Sequence, residues 1–162
     1  MRDERVKRMA LGGLLSCLVL LATWQLKVLL PLGVGYVHLG DGVIFLSSML
    51  LGNYAAVIAS IGSVLADLLV GASAYIPATL IIKALMGLVA ALLFRSGKHI
   101  RNLLAFALAE VIMVGGYFAY EIIISNWGLA LTTIGPNLLQ SAAGVVLGMA
   151  FSIYLPHLKK LI

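Results

Sequence analysis

An all-α membrane protein with six transmembrane helices and both termini in the cytoplasm is the fold this sequence predicts, on three observations. The chain has 162 residues, of which 62% are hydrophobic and 10% charged, against about 25% charged in an ordinary soluble domain; its mean hydropathy is +1.11. Six apolar runs of roughly 20 residues with short connections use up the length, so residues 1–162 form a single transmembrane domain with no soluble portion. The basic residues gather beside apolar runs in three clusters: Arg2, Arg5, Lys7 and Arg8; Arg95, Lys98 and Arg101; Lys159 and Lys160. Positive charge concentrates on the cytoplasmic side of membrane proteins, and an even number of crossings between clusters puts all three there. The net charge of +5 is therefore a topology signal, and no nucleic acid partner is expected.

The first span is expected over about Met9 to Leu30. Its basic start resembles a signal peptide, but the apolar run is too long and lacks a small-residue exit, so it is retained. Cys17 lies within it and has no partner for a disulfide. The segment Gly35-Tyr36-Val37-His38-Leu39-Gly40-Asp41-Gly42 follows, polar and broken by glycine. Irregular backbone survives at membrane depth only where protein or a wet cavity satisfies it, which makes this the first place to expect a ligand. The stretch to Val70 divides at Gly52-Asn53 into spans over Asp41 to Leu51 and Tyr54 to Val70. Eleven or so residues at about 1.5 Å each cover about half of a roughly 30 Å core, so the loop from Pro31 to Gly40 is expected to dip in and fill the depth. Further spans are expected over Pro77 to Phe94, Asn102 to Ile124 and Asn137 to Tyr154.

Polar side chains cost about 2.5 to 3.5 kcal/mol per charge near a span centre on insertion scales, and here they concentrate in the outer half. Tyr36, His38, Asp41, Asp67, Tyr75, Lys83, Glu121, Trp127, Asn137 and Gln140 are the candidate ligand-binding residues of an outward-facing pocket closed at its base. Each has a plainer alternative. Asp67 and Lys83 either neutralise each other or touch ligand; Asp41 either caps the second span or binds; Trp127, Tyr36 and Tyr75 also suit an interfacial aromatic belt. Tyr117 and Tyr120, with Glu110, either line the pocket wall or pack. Small residues recur four apart, as in Gly62 with Ala66 and Gly144 with Gly148, which lets helices approach closely. Gly12, Gly13, Ser16 and Cys17 place such pairs on the cytoplasmic half of span one, where a partner subunit could dock.

These segments resemble the substrate-binding S components of energy-coupling factor (ECF) vitamin transporters. The resemblance rests on Gly35 to Asp41, Leu50-Leu51-Gly52, Ile61 to Leu68, Tyr75-Ile76-Pro77-Ala78-Thr79 and Ile82 to Gly87, and looks most like the branch associated with hydroxymethylpyrimidine and vitamin B6. It implies a small heteroaromatic vitamin ligand bound near the extracellular face, and residence in a prokaryotic plasma membrane. It also implies partners: a transmembrane coupling subunit and two cytoplasmic ATPases, which topple or release the binding subunit. Where that family's first span usually carries Ala-x-x-x-Ala, this chain has Gly12-x-x-x-Ser16 and Gly13-x-x-x-Cys17.

Enzymatic readings fare poorly. No phosphate-binding Gly-x-x-x-x-Gly-Lys-Ser/Thr occurs, and the histidines at 38, 99 and 157 are split between the two membrane faces, so no catalytic residue, metal site or cofactor is expected. The rival is an ion-coupled secondary transporter of a small metabolite. That class places ionisable groups across the bilayer and often shows inverted repeats, whereas here only Glu110 lies near mid-depth.

Overall fold

The computed structural model describes residues 2–29 and 36–158. Among them, helices α1 (Arg2–Trp24), α2 (Gly40–Leu51), α3 (Ala55–Val70), α4 (Ile76–Leu93), α5 (His99–Ile124) and α6 (Trp127–Leu158) form one bundle, with a hairpin of β1 (Lys27–Leu29) and β2 (Tyr36–His38) between α1 and α2. Five helical segments are long and apolar enough to cross a membrane: Asp3–Trp24, Gly40–Val70, Ser73–Leu93, His99–Ile124 and Trp127–Leu155. The second contains both the second and third spans expected from sequence. It is broken by a single 3-10 turn over Gly52–Tyr54, where Gly52 has φ +60°, a left-handed conformation that a side chain disfavours.

The chain reverses at that turn. Gly12 of α1 lies against both Leu51 and Ile58, which flank the break, while His38 and Asp67, at the far ends of the α2–α3 pair, line one cavity. The remaining helices alternate in direction. Asn102 meets Ser152 at one end of the α5–α6 pair, at 3.1 Å, and Glu121 accepts from Thr133 at the other.

Two expectations about boundaries change. The first helix stops at Trp24 instead of continuing to Leu30, because the apolar residues beyond it pair as a strand: Lys27 opposite His38, Val28 opposite Val37 and Leu29 opposite Tyr36. Ladder hydrogen bonds between the two strands satisfy part of that backbone. The predicted dip from Pro31 to Gly35 lies outside the described residues. The sixth helix begins ten residues before Asn137 and runs through Pro136. Proline there removes one backbone donor and frees the Thr132 carbonyl of its usual helical partner, a loss that membrane helices tolerate.

Packing is tightest away from the hairpin end. Phe45 stacks on Phe106 with ring centroids 4.5 Å apart, and Phe94 stacks on Phe106 at 6.4 Å. Ile44, Met86, Met113 and Leu155 complete this buried layer. Helices α1 and α3 touch through Gly62, where a Cβ would come within 2.6 Å of the Ser16 carbonyl and 2.7 Å of Val19. Gly62→Val is therefore expected to force the two helices apart at a cost of about 1 to 3 kcal/mol, seen as a lower unfolding temperature in detergent.

A candidate vitamin-binding cavity

The bundle end that carries the hairpin holds a cavity of about 240 Å³ lined by His38, Asp67, Ala72, Tyr75, Thr79, Tyr117, Glu121, Thr133, Pro136, Asn137 and Gln140. Three elements supply its aromatic and acidic wall. Glu121, one turn beyond Tyr117 on α5, accepts from the Tyr75 hydroxyl at 3.2 Å and from the Thr133 hydroxyl, tying the start of α4 to the ends of α5 and α6. The Tyr75 ring leans on those of Tyr117 and Tyr120, with centroids 6.4 and 6.0 Å away. Tyr120 itself points elsewhere, donating to the Ala74 carbonyl at 2.6 Å.

A hydrogen-bonded file runs along the other wall. The Thr79 hydroxyl donates to Asp67, which leaves the Tyr117 hydroxyl, 3.0 Å away, to donate to Thr79. The second carboxylate oxygen of Asp67, Oδ2, is buried with no donor among the described residues. Buried polar atoms are satisfied in more than nine cases in ten, so an acceptor left open at a cavity wall is a natural contact for a ligand donor.

Beneath the cavity lies an ion pair. Lys83 and Asp41, 2% and 0% exposed, are bonded through Nζ and Oδ1, and Gln140 donates to the other Asp41 oxygen at 2.6 Å. Lys83 also sits 5.8 Å from the centre of the Tyr117 ring, a cation–π contact. This corrects two readings of the sequence. Lys83 pairs with Asp41 and not with Asp67, and Asp41 makes no capping hydrogen bond at the start of α2; both of its oxygens are taken by Lys83 and Gln140.

His38 joins cavity and ion pair. Its Nδ1 accepts the Gly40 amide at 3.2 Å, so its proton resides on Nε2. The imidazole is buried, 7% exposed.

Of the other candidates, Tyr75, Glu121, Asn137 and Gln140 line the cavity, while Trp127 does not: it is 60% exposed and packs edge-on against Phe118 at 5.4 Å. Tyr36 lies on β2, but its side chain is outside the description. Sequence reasoning missed Ala72, Thr79, Thr133 and Pro136, and only the threonines carry a signal, as hydroxyls one or two turns from other polar residues. In α1, Gly12 faces Leu51 and Ile58, and the Ser16 carbonyl abuts Gly62, whereas Gly13 meets nothing within 4 Å and Cys17 is exposed. Glu110 is buried, 2% exposed, against Gly144.

Membrane-length apolar helices around a closed-bottomed cavity with aromatic and polar walls define a membrane-embedded solute-binding protein. The model of the family described as "ECF-type riboflavin transporter, S component" matches residues 4–156, and the chain belongs to that family. It is thus a multi-pass transport subunit of the prokaryotic cell membrane, and not an enzyme. A protein of Pyrococcus woesei described as an uncharacterized protein in gap 3'region is 27% identical over 132 residues, 80% of this chain and 88% of its own length. The family match corrects the branch read from sequence: it is to the riboflavin S components and lends no support to a hydroxymethylpyrimidine or B6 assignment.

Proposed function

We propose that the cavity is the vitamin site of an ECF-type uptake system and that riboflavin is the first ligand to expect in it. The observation that carries this is the cavity itself: tyrosine rings at one wall, the open acceptor of Asp67 at the other, and the Asn137 and Gln140 amides beside them. A few convergent polar groups in an aromatic pocket give a heteroaromatic ring its orientation. Family membership supports riboflavin. In this reading the chain crosses the membrane six times, with the short α2 and its hairpin as one crossing, and both termini are cytoplasmic. The cavity then opens outward. A coupling subunit and two cytoplasmic ATPases supply the energy, and the outward-facing Gly13 and Cys17 of α1 offer them a smooth face.

One observation favours a second reading, a single-ring vitamin such as pyridoxine or hydroxymethylpyrimidine. The volume of about 240 Å³ falls below the roughly 300–1,000 Å³ of sites for larger ligands. Isothermal titration of the purified chain decides between them. Submicromolar binding of riboflavin alone establishes the first reading, and binding of pyridoxine or hydroxymethylpyrimidine with none of riboflavin establishes the second. Silence toward all of them, from folded protein, rejects both.

A further inference from the structure

At the bundle end opposite the cavity, the turn from α4 into α5 leaves a groove of about 740 Å³ lined by Leu93, Gly97, Lys98, His99, Ile100, Arg101, Leu104, Ala105 and Leu108. The apolar spans flanking it end at Leu93 and begin at His99, so its mouth lies at the membrane boundary and its floor within the hydrocarbon. Charge and polarity are segregated along it. Lys98 and Arg101 stand at the mouth with Arg95 on the same turn, and no carboxylate is among the lining residues. Deeper in, Ile100, Leu104 and Leu108 recur every four residues on the exposed face of α5, with buried Ala105 beside them. Arg101 is held in place: its Nε donates across the groove to the Leu93 carbonyl at 2.8 Å. A topology signal needs only charges near a span. A guanidinium pinned over an apolar trough is a more specific arrangement.

We propose that this groove binds one anionic phospholipid, with its headgroup phosphate against Lys98 and Arg101 and an acyl chain along Ile100, Leu104 and Leu108. Paired cations over an apolar cleft at the headgroup level complement a phosphodiester with two chains, and basic pockets between membrane helices take such headgroups. The site is independent of which vitamin fills the cavity at the other end.

Native mass spectrometry of the full chain in detergent, with dioleoyl phosphatidylglycerol or dioleoyl phosphatidylcholine added, tests this. Retention of phosphatidylglycerol is expected to exceed that of phosphatidylcholine by roughly thirty-fold. Lys98→Gln with Arg101→Gln should bring the two lipids to parity, and Leu104→Trp, which fills the trough, should lower retention of both. Both variants should unfold near the temperature of the unaltered chain. Arg5→Gln, Lys7→Gln and Arg8→Gln together should leave the preference intact. Equal loss in that triple variant would mean diffuse surface charge and overturn the site. So would unchanged phosphatidylglycerol retention in the Lys98/Arg101 variant accompanied by loss of assembly with the coupling subunit or with a second copy, which would assign the groove to protein.

Discussion

Lys83→Met is expected to be among the most damaging single substitutions in the chain, costing about 3 to 5 kcal/mol and lowering the unfolding temperature in detergent by on the order of 10 °C. The reason is what it leaves behind. Asp41 is wholly buried and its Oδ1 has Lys83 as partner, so removing the ammonium strands a carboxylate in a membrane interior. Adding Asp41→Leu should recover most of the loss, because two buried charges are often replaceable by apolar groups when both go together. Gln140 then loses an acceptor but keeps the cavity it lines. Adding Asp67→Leu to Lys83→Met should recover nothing, and recovery in that double variant would contradict the observed pairing.

The second large effect is expected on binding. Asp67→Asn should weaken vitamin affinity by about 10- to 100-fold, the range for a hydrogen bond to a charged group, while moving the unfolding temperature by only a degree or two. Asn keeps an oxygen for the Thr79 hydroxyl but replaces the open Oδ2 acceptor with a donor in one orientation or loses the Thr79 bond in the other. Titration of the variant beside the unaltered chain, with both melting curves, separates the two outcomes. Equal affinity would remove Asp67 from the site.

Depth was legible in the sequence, and azimuth was not. Hydropathy and the positive clusters gave the level of each polar residue, which is why His38, Asp67, Tyr75, Glu121, Asn137 and Gln140 share one cavity. They could not give each helix's rotation about its axis. Asp41 and Asp67 lie at similar levels on neighbouring helices, and only packing decides which of them meets Lys83. Short-range signals misled in other places. The sixth span was expected to begin at Asn137, but the helix starts at Trp127 and passes through Pro136. The three-residue strands beginning at Lys27 and Tyr36 are too short to stand out from an apolar run. Ligand class was the least legible. The motifs behind the B6 resemblance mix scaffold with cavity wall, holding the Asp41–Lys83 pair beside His38, Asp67, Tyr75 and Thr79. Choice among vitamins rests on side chains scattered over several helices.

The stacked phenylalanines have an electrical consequence. Phe45, Phe94 and Phe106 with Met86, Met113 and Leu155 form an apolar layer in the bundle, and the charges of the buried Asp41–Lys83 pair cancel. A transmembrane voltage acts on net charge that moves across it, worth about 2.3 kcal/mol per elementary charge per 100 mV. The Asp41–Lys83 pair, carrying no net charge, offers the field nothing to pull on. Losing either partner would leave one lone buried charge in that field, so the pairing of Asp41 with Lys83 neutralises the bundle interior electrically as well as structurally.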